Sequence, residues 1–163
     1  MDSKMLFLRA AAAGDVAGIQ TEYLKNNTVL TAKDSAGRTA LHLAALHSHA
    51  NVLELLLDYG SDTSAQDNQG QTALHIAAQL SSQTIVKTLL QRSANCCIRD
   101  HAGRIPLFYA YQNYPTDLVG CFLECTIASG TELQCGLTPE IILGAGPCRK
   151  WTPLHANVSV RGP

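Results

Sequence analysis

A motif recurs in this chain at a fixed interval of 33 residues, and that interval constrains the fold more than any other feature. Asp67-Asn68-Gln69-Gly70-Gln71-Thr72-Ala73-Leu74-His75 lies one interval beyond Asp34-Ser35-Ala36-Gly37-Arg38-Thr39-Ala40-Leu41-His42. The register holds inside the interval: Ala44-Ala45 matches Ala77-Ala78, and Leu56-Leu57 matches Leu89-Leu90. A third start, Asp100-His101-Ala102-Gly103, arrives on schedule. Such a period marks a stacked solenoid, in which no unit can bury its apolar face alone.

Each residue of the stretch Asp67–Asp100 has a physical reading. Asp67 and Gly70 stand at the first and fourth positions of a tight turn, where a short acceptor and a residue without Cβ are favoured. Thr72 reads as a helix N-cap. His75, three residues on, is placed to reach back to it as in a capping box. Leu74, Ala77 and Ala78 give the first helix a small-residue face that permits close helix approach. Ile85, Val86, Leu89 and Leu90 give a second helix an apolar stripe at helical spacing.

The pattern resembles the ankyrin repeat. Gly37-x-Thr39-Ala40-Leu41-His42-x-Ala44-Ala45 and Gly70-x-Thr72-Ala73-Leu74-His75-x-Ala77-Ala78 carry the resemblance. So do Val52-x-x-Leu55-Leu56-Leu57-x-x-Gly60-Ser61-Asp62 and Val86-x-x-Leu89-Leu90-x-x-Ser93-Ala94-Asn95. The resemblance implies an all-α ankyrin-repeat solenoid of antiparallel helix pairs, with projecting hairpin loops and a concave surface that binds other proteins.

Composition removes several other classes. The formal net charge is −1 and charged residues make up 15%, so there is no electrostatic footprint for nucleic acid or an anionic membrane. No apolar run approaches the ~20 residues of a spanning helix. The segment Met1–Arg9 is interrupted too early for a signal peptide. Six cysteines without a secretory signal point to reduced thiols and an intracellular setting, cytoplasmic or nuclear.

Taken in order, residues 4–33 read as a degenerate first unit that lacks its leading turn. There Leu6, Leu8, Ala11 and Ala12 are expected to pack inward, with a break at Gly14-Asp15 and a second helix face of Ile19, Tyr23 and Leu24. Lys4, Arg9, Gln20 and Glu22 are expected to face water, and Lys25-Asn26-Asn27 to end the unit. Units at 34–66 and 67–99 follow.

A weakened unit occupies 100–126, with Ile105-Pro106-Leu107-Phe108 in place of the Thr-Ala-Leu-His motif. Pro106 suits the first helical position, but Ile105 cannot cap and Phe108 cannot reach back. Tyr111 takes the second Ala position and is expected to hold neighbouring helices further apart. Leu118, Val119, Phe122 and Leu123 keep the second helix in register. Residues 127–150 have the Gly and Pro content of a loop. Trp151-Thr152-Pro153-Leu154-His155-Ala156 restores a repeat opening 47 residues after Leu107, and 151–163 ends without a second helix. That arrangement suggests a truncated product or a fragment of a longer array, with a poorly ordered C-terminal end.

Candidate chemistry is sparse. His42 and His75 invite a metal or catalytic reading, but the resemblance assigns that position to loop and cap hydrogen bonds. His47, His49 and His101 are expected to be solvated. Cys96-Cys97, Cys121, Cys125, Cys135 and Cys148 lack the paired spacing of a structural zinc site, and buried Cys behaves as a small hydrophobe. No nucleophile has a base and an orienting group beside it, and there is no phosphate-binding Gly loop. The expectation is a non-enzyme without cofactor or metal.

The resemblance instead implies partner contacts from hairpin tips and the exposed side of each first helix. Transferred by register, these are Ser35, Ala36, Arg38, Leu46, His47 and Gln66 in one unit. The next supplies Asn68, Gln69, Gln71, Gln79, Leu80 and Arg99, and the weakened one His101, Ala102, Arg104, Gln112 and Asn113. Arg38, Arg99 and Arg104 form a line, and amphipathic Arg with apolar anchors favours a protein partner, mildly acidic in character. The reading is a monomeric, non-catalytic scaffold or adaptor. Its alternatives are the recognition part of a larger multidomain protein, and a zinc- or redox-responsive module built on the cysteines.

Overall fold

In the computed structural model, residues 2–112 and 118–122 are described, and every regular element among them is helical. Helices α1 (Ser3–Ala13) and α2 (Val16–Lys25) are followed by a short 3-10 helix, Asn27–Thr31. Helices α3 (Ala40–Leu46) and α4 (Ala50–Asp58) form the next pair, and α5 (Ala73–Gln79) and α6 (Gln83–Gln91) the one after. Helix α7 (Pro106–Gln112) opens a further pair, and residues 118–122 are helical. The expected irregular segment 127–150 and the repeat opening 151–156 lie outside the described residues, as do Leu123 and Asn113.

The helices stack in two layers. Helices α1, α3, α5 and α7 pack in succession, α2, α4 and α6 in a second row, and each pair packs within itself. The core runs through the stack without a break. Leu41, Leu53 and Leu56 of one unit and Leu74, Ile85 and Leu89 of the next are all almost wholly buried. Ala44, Ala45, Ala77, Ala78 and Ala110 are fully buried, which lets the first helices approach closely. These helices are only seven residues long. Isolated helices of that length do not persist in water, so packing against neighbouring units is what keeps them folded.

The expected break between α1 and α2 forms from the residues named for it. Gly14 adopts a left-handed φ of 75° and its N–H bonds Ala10 O, while Asp15 caps α2 by accepting from Gly18 N at 3.0 Å. The facing of this unit departs from expectation at three positions. Phe7, not Leu6, is the fully buried anchor; Leu24 is 82% exposed; and Glu22 is buried at 7%. Helix α2 turns Glu22 inward because its carboxylate has partners there. It accepts from Ser3 Oγ and pairs with Lys25 Nζ at 2.7 Å. Those bonds, Lys25 first, hold its carboxyl below the usual range.

Solenoid stability is approximately a sum of unit and interface terms. Leu74 is 1% exposed in the central unit, so Leu74→Ala is expected to cost ~2–5 kcal/mol. A urea melt reads this directly, and a midpoint overlaying the parent would show the core register to be misassigned. Gln79→Ala, on the half-buried rim, is expected to leave the midpoint within a few tenths molar.

Candidate protein-binding face

Three turns project from the helix layers, and each is built in the same way. Asp34 N donates to Arg38 O and Gly37 N to Asp34 O, both at 3.0 Å. Asp67 and Asp100 form the same two bonds with Gln71 and Gly70, and with Arg104 and Gly103. The carboxylate adds a second layer. Asp34 Oδ1 accepts from Ala36 N and Arg38 N; Asp67 Oδ1 accepts from Gln69 N and Gln71 N; Asp100 Oδ1 accepts from Ala102 N and Arg104 N. Gly37, Gly70 and Gly103 all take φ near 75°, the left-handed region that glycine tolerates. At Gly70 a Cβ would also lie 2.8 Å from His101 N, so the next turn needs that space.

The turns are joined tip to tip. Asn68 N donates to Ala36 O and His101 N to Gln69 O, each at 3.0 Å. Asn68 Nδ2 adds a bond to Ser35 O, Lys33 Nζ reaches Gln66 O, and Gln66 Nε2 reaches Gly70 O and Arg99 O. Asn68 and Gln66 therefore order the array and stand exposed at its edge together.

Beneath the turns, two histidines connect the units. His42 Nδ1 accepts from Thr39 N at 3.2 Å and lies 2.8 Å from Thr39 Oγ1. Its Nε2 lies 3.0 Å from Gln71 O of the following unit. His75 repeats this with Thr72 and with Arg104 O. A ring nitrogen that accepts a backbone N–H carries no proton, so Nε2–H is the donor and both rings are neutral. Burial holds both pKa values below the ordinary histidine value, although Gln71 O and Arg104 O act against it. Asp67 and Asp34 also raise His42 while Lys33 lowers it; Asp100 and Asp67 raise His75 while Arg104 lowers it.

The unit opened by Asp100 lacks this histidine and uses a residue that sequence reasoning did not single out. Tyr109 is 7% exposed, donates to Asp100 Oδ2 at 2.6 Å and accepts from Gln71 Nε2 at 3.2 Å. Its ring meets His75 edge-on at 6.1 Å, and Arg104 Cζ stands 4.8 Å from its centroid. The one available signal was an aromatic nine residues after the turn Asp in the unit whose capping histidine is missing. Burial raises the Tyr109 pKa, and the bond to Asp100 raises it further. Burial alone would raise Asp100 as well, but Tyr109 and the Arg104 N–H and charge hold it low. Asp34 follows the same balance, with Arg38 and Ala36 N overcoming burial.

The positions transferred by register separate into three groups. Asn68, Gln69, Gln66, Arg99 and His101 are exposed at the turn edge, and His47, Leu80 and Gln112 at the ends of the first helices. Arg38, Leu46, Gln79 and Arg104 are half-buried; Leu46 packs on the core, Arg38 pairs with Asp34 at 2.8 Å and Arg104 with Asp100 at 3.2 Å. Gln71 departs from its assigned exposure. It is 8% exposed because Tyr109 of the next unit covers and binds it.

His49 is half-buried rather than fully solvated. Its ring stands beside Gly14, where a Cβ would lie 2.8 Å from Nδ1, and its Nε2 lies 3.1 Å from Ala12 O. His47 and His101 are exposed as expected. Among the described residues no three His, Cys, Asp or Glu side chains are grouped to hold a metal ion, and no helix is long and apolar enough to cross a membrane. Cys96 Sγ and Cys97 Sγ lie 4.0 Å apart, and Cys96 and Cys121 are free thiols. Cys125, Cys135 and Cys148 lie outside the described residues.

Helix pairs stacked in two layers, all but the first introduced by an Asp–Gly turn, define a class of helical repeat protein. A family model for ankyrin repeats matches residues 7–100 as three copies. That is more than half of the sequence, and the chain belongs to the ankyrin-repeat family. Repeats of this family are protein–protein interaction modules. No curated protein matches the sequence.

Two outcomes follow from this geometry. Tyr109→Phe strands the Gln71 amide and removes a donor from Asp100, at an expected cost of about 1–3 kcal/mol in urea melts; an unchanged midpoint would refute the Tyr109 bridge. The second concerns pH. A depressed folded pKa means that the unfolded chain takes up the proton first, so stability is complete above the ordinary histidine pKa of about 6.5. It then falls as pH drops through the folded values of His42 and His75. A separate loss, from Asp34 and Asp100, begins below about pH 4. Melts across this range are expected to show both limbs, and the double variant His42→Gln, His75→Gln only the acidic one.

Proposed function

We propose that this chain is a non-catalytic scaffold or adaptor that holds a partner protein against the turn tips and the exposed ends of α3, α5 and α7. This is the face that is concave in its family. The observation that carries the reading is Leu80, a large apolar residue 46% exposed at the end of the central helix α5. It is flanked by exposed His47 and Gln112 on the neighbouring helices and backed by half-buried Leu46. An apolar point with a polar surround is the anatomy of a binding hot spot and its rim. The rigid lattice of turn bonds supports the same reading, because a preorganised surface loses little entropy when it binds.

The test is affinity capture from the native host's lysate, comparing the parent with the double variant Gln79→Arg, Leu80→Glu. Both positions lie on the rim, so circular dichroism is expected to show the variant folded. A partner retained by the parent and lost by the variant, with at least a tenfold drop in affinity once purified, supports this face. Equal retention would move the binding site elsewhere on the chain.

A further inference from the structure

We propose that Ser81 is a specificity-determining residue of this face, its hydroxyl hydrogen-bonding a backbone peptide group of the partner beside the apolar side chain that covers Leu80; this rests on the function proposed above. Backbone strain is the starting point. Ser48, Ser81 and Ser93 take φ of 58°, 54° and 59°, the left-handed region in which a Cβ is crowded. Glycine holds the corresponding turns of other units: Gly14, at 75°, stands where Ser48 and Ser81 stand, and Gly60, at 82°, where Ser93 does. A serine is the poorer residue at such a position unless its hydroxyl has a use.

Closing the turn is not that use. Ser81 N donates to Ala78 O at 3.2 Å and Ser82 N to Ala77 O at 3.0 Å, so backbone alone ends α5. The turn after α3 closes in the same way, through Ser48 N to Ala45 O and His49 N to Ala44 O. There the hydroxyl is occupied inside the array, because Ser48 Oγ lies 2.8 Å from Ser82 Oγ of the following unit. Ser81 is exposed, and its Oγ has no hydrogen-bond partner among the described residues.

Strain by itself does not single out Ser81, since Ser93 shares it and is also exposed. Position does. Ser81 directly follows Leu80, the apolar residue 46% exposed at the end of α5. Ser93 lies beyond the end of α6, in the other helix row. The backbone bonds at Ala77 and Ala78 fix the direction of the Ser81 Cβ, so its hydroxyl is held at a set place beside the anchor. A partner that covers Leu80 without supplying a polar group there leaves that hydroxyl desolvated and unpaired, which discriminates against it.

The test sets strain relief against affinity. The probe is the protein retained in the lysate capture described above, purified and titrated into the full chain and its variants. Ser81→Gly and Ser93→Gly are each expected to raise the urea midpoint by roughly 0.3 M or more, because both release left-handed backbone. Only Ser81→Gly is expected to weaken binding, by about three- to tenfold. Ser81→Ala keeps the strain and removes the hydroxyl, so it is expected to lose the same affinity with no rise in midpoint. Stability gained as binding is lost is the mark of strain held for function.

Unchanged affinity in Ser81→Gly and Ser81→Ala, with binding still abolished by Leu80→Glu, overturns the role of Ser81 and leaves the face standing. An equal loss of affinity in Ser93→Gly also overturns it, because the effect would then follow strain relief rather than the hydroxyl. Binding that ignores Leu80→Glu, or the absence of any retained protein, removes the face and Ser81 with it.

Discussion

Neutral imidazoles that span from one unit to the next are the interaction on which this array depends. His42 joins its own Thr39 to Gln71 O, and His75 joins Thr72 to Arg104 O. Each ring therefore fixes a helix start, a turn base and the register between neighbours at once. A buried polar group is stabilising only when all its hydrogen-bonding capacity is met. Here both nitrogens of both rings are occupied, and no buried side-chain nitrogen or oxygen among the described residues is left without a partner. The helices could not supply this ordering themselves, because seven-residue helices depend on their neighbours to form.

The turns convert that buried register into an ordered surface. An Asp whose carboxylate accepts two N–H groups closes a loop without help from elsewhere, and a glycine at φ near 75° leaves room for the next loop to dock. Repetition then links tips through Asn68 N and His101 N. The candidate contact residues stand on this lattice, and the same bonds turn the Asp34, Asp67 and Asp100 carboxylates into their own loops.

Most of this was legible in the sequence because the determinants are local and repeat in phase. Asp, Gly, Thr and His at fixed offsets each specify a backbone conformation or a short-range bond, and their identity suffices to place them. The first unit was less legible because it has no leading turn to set its phase. Without that marker the helical stripe could be rotated by a position, which is how Phe7 and Leu6, and Leu24 and Glu22, came to exchange faces. Gln71 was misplaced for another reason. It shares register with Arg38 and Arg104, both half-exposed, and only contact with a residue 38 positions away buries it.

Tyr109 shows what a weakened repeat keeps and what it discards. Losing histidine at position 108 removes a link toward any following unit, since that ring would have reached forward as His42 and His75 do. Tyr109 reaches backward instead, to Gln71 of the preceding unit, while holding Asp100 of its own turn. The coupling lost in one direction reappears in the other. The unit opened by Asp100 is therefore tied to the array behind it and does not carry the histidine by which the earlier units reach forward. A repeat series can depart from its 33-residue period at such a joint without loosening the face already built, and the period in this chain departs after that unit.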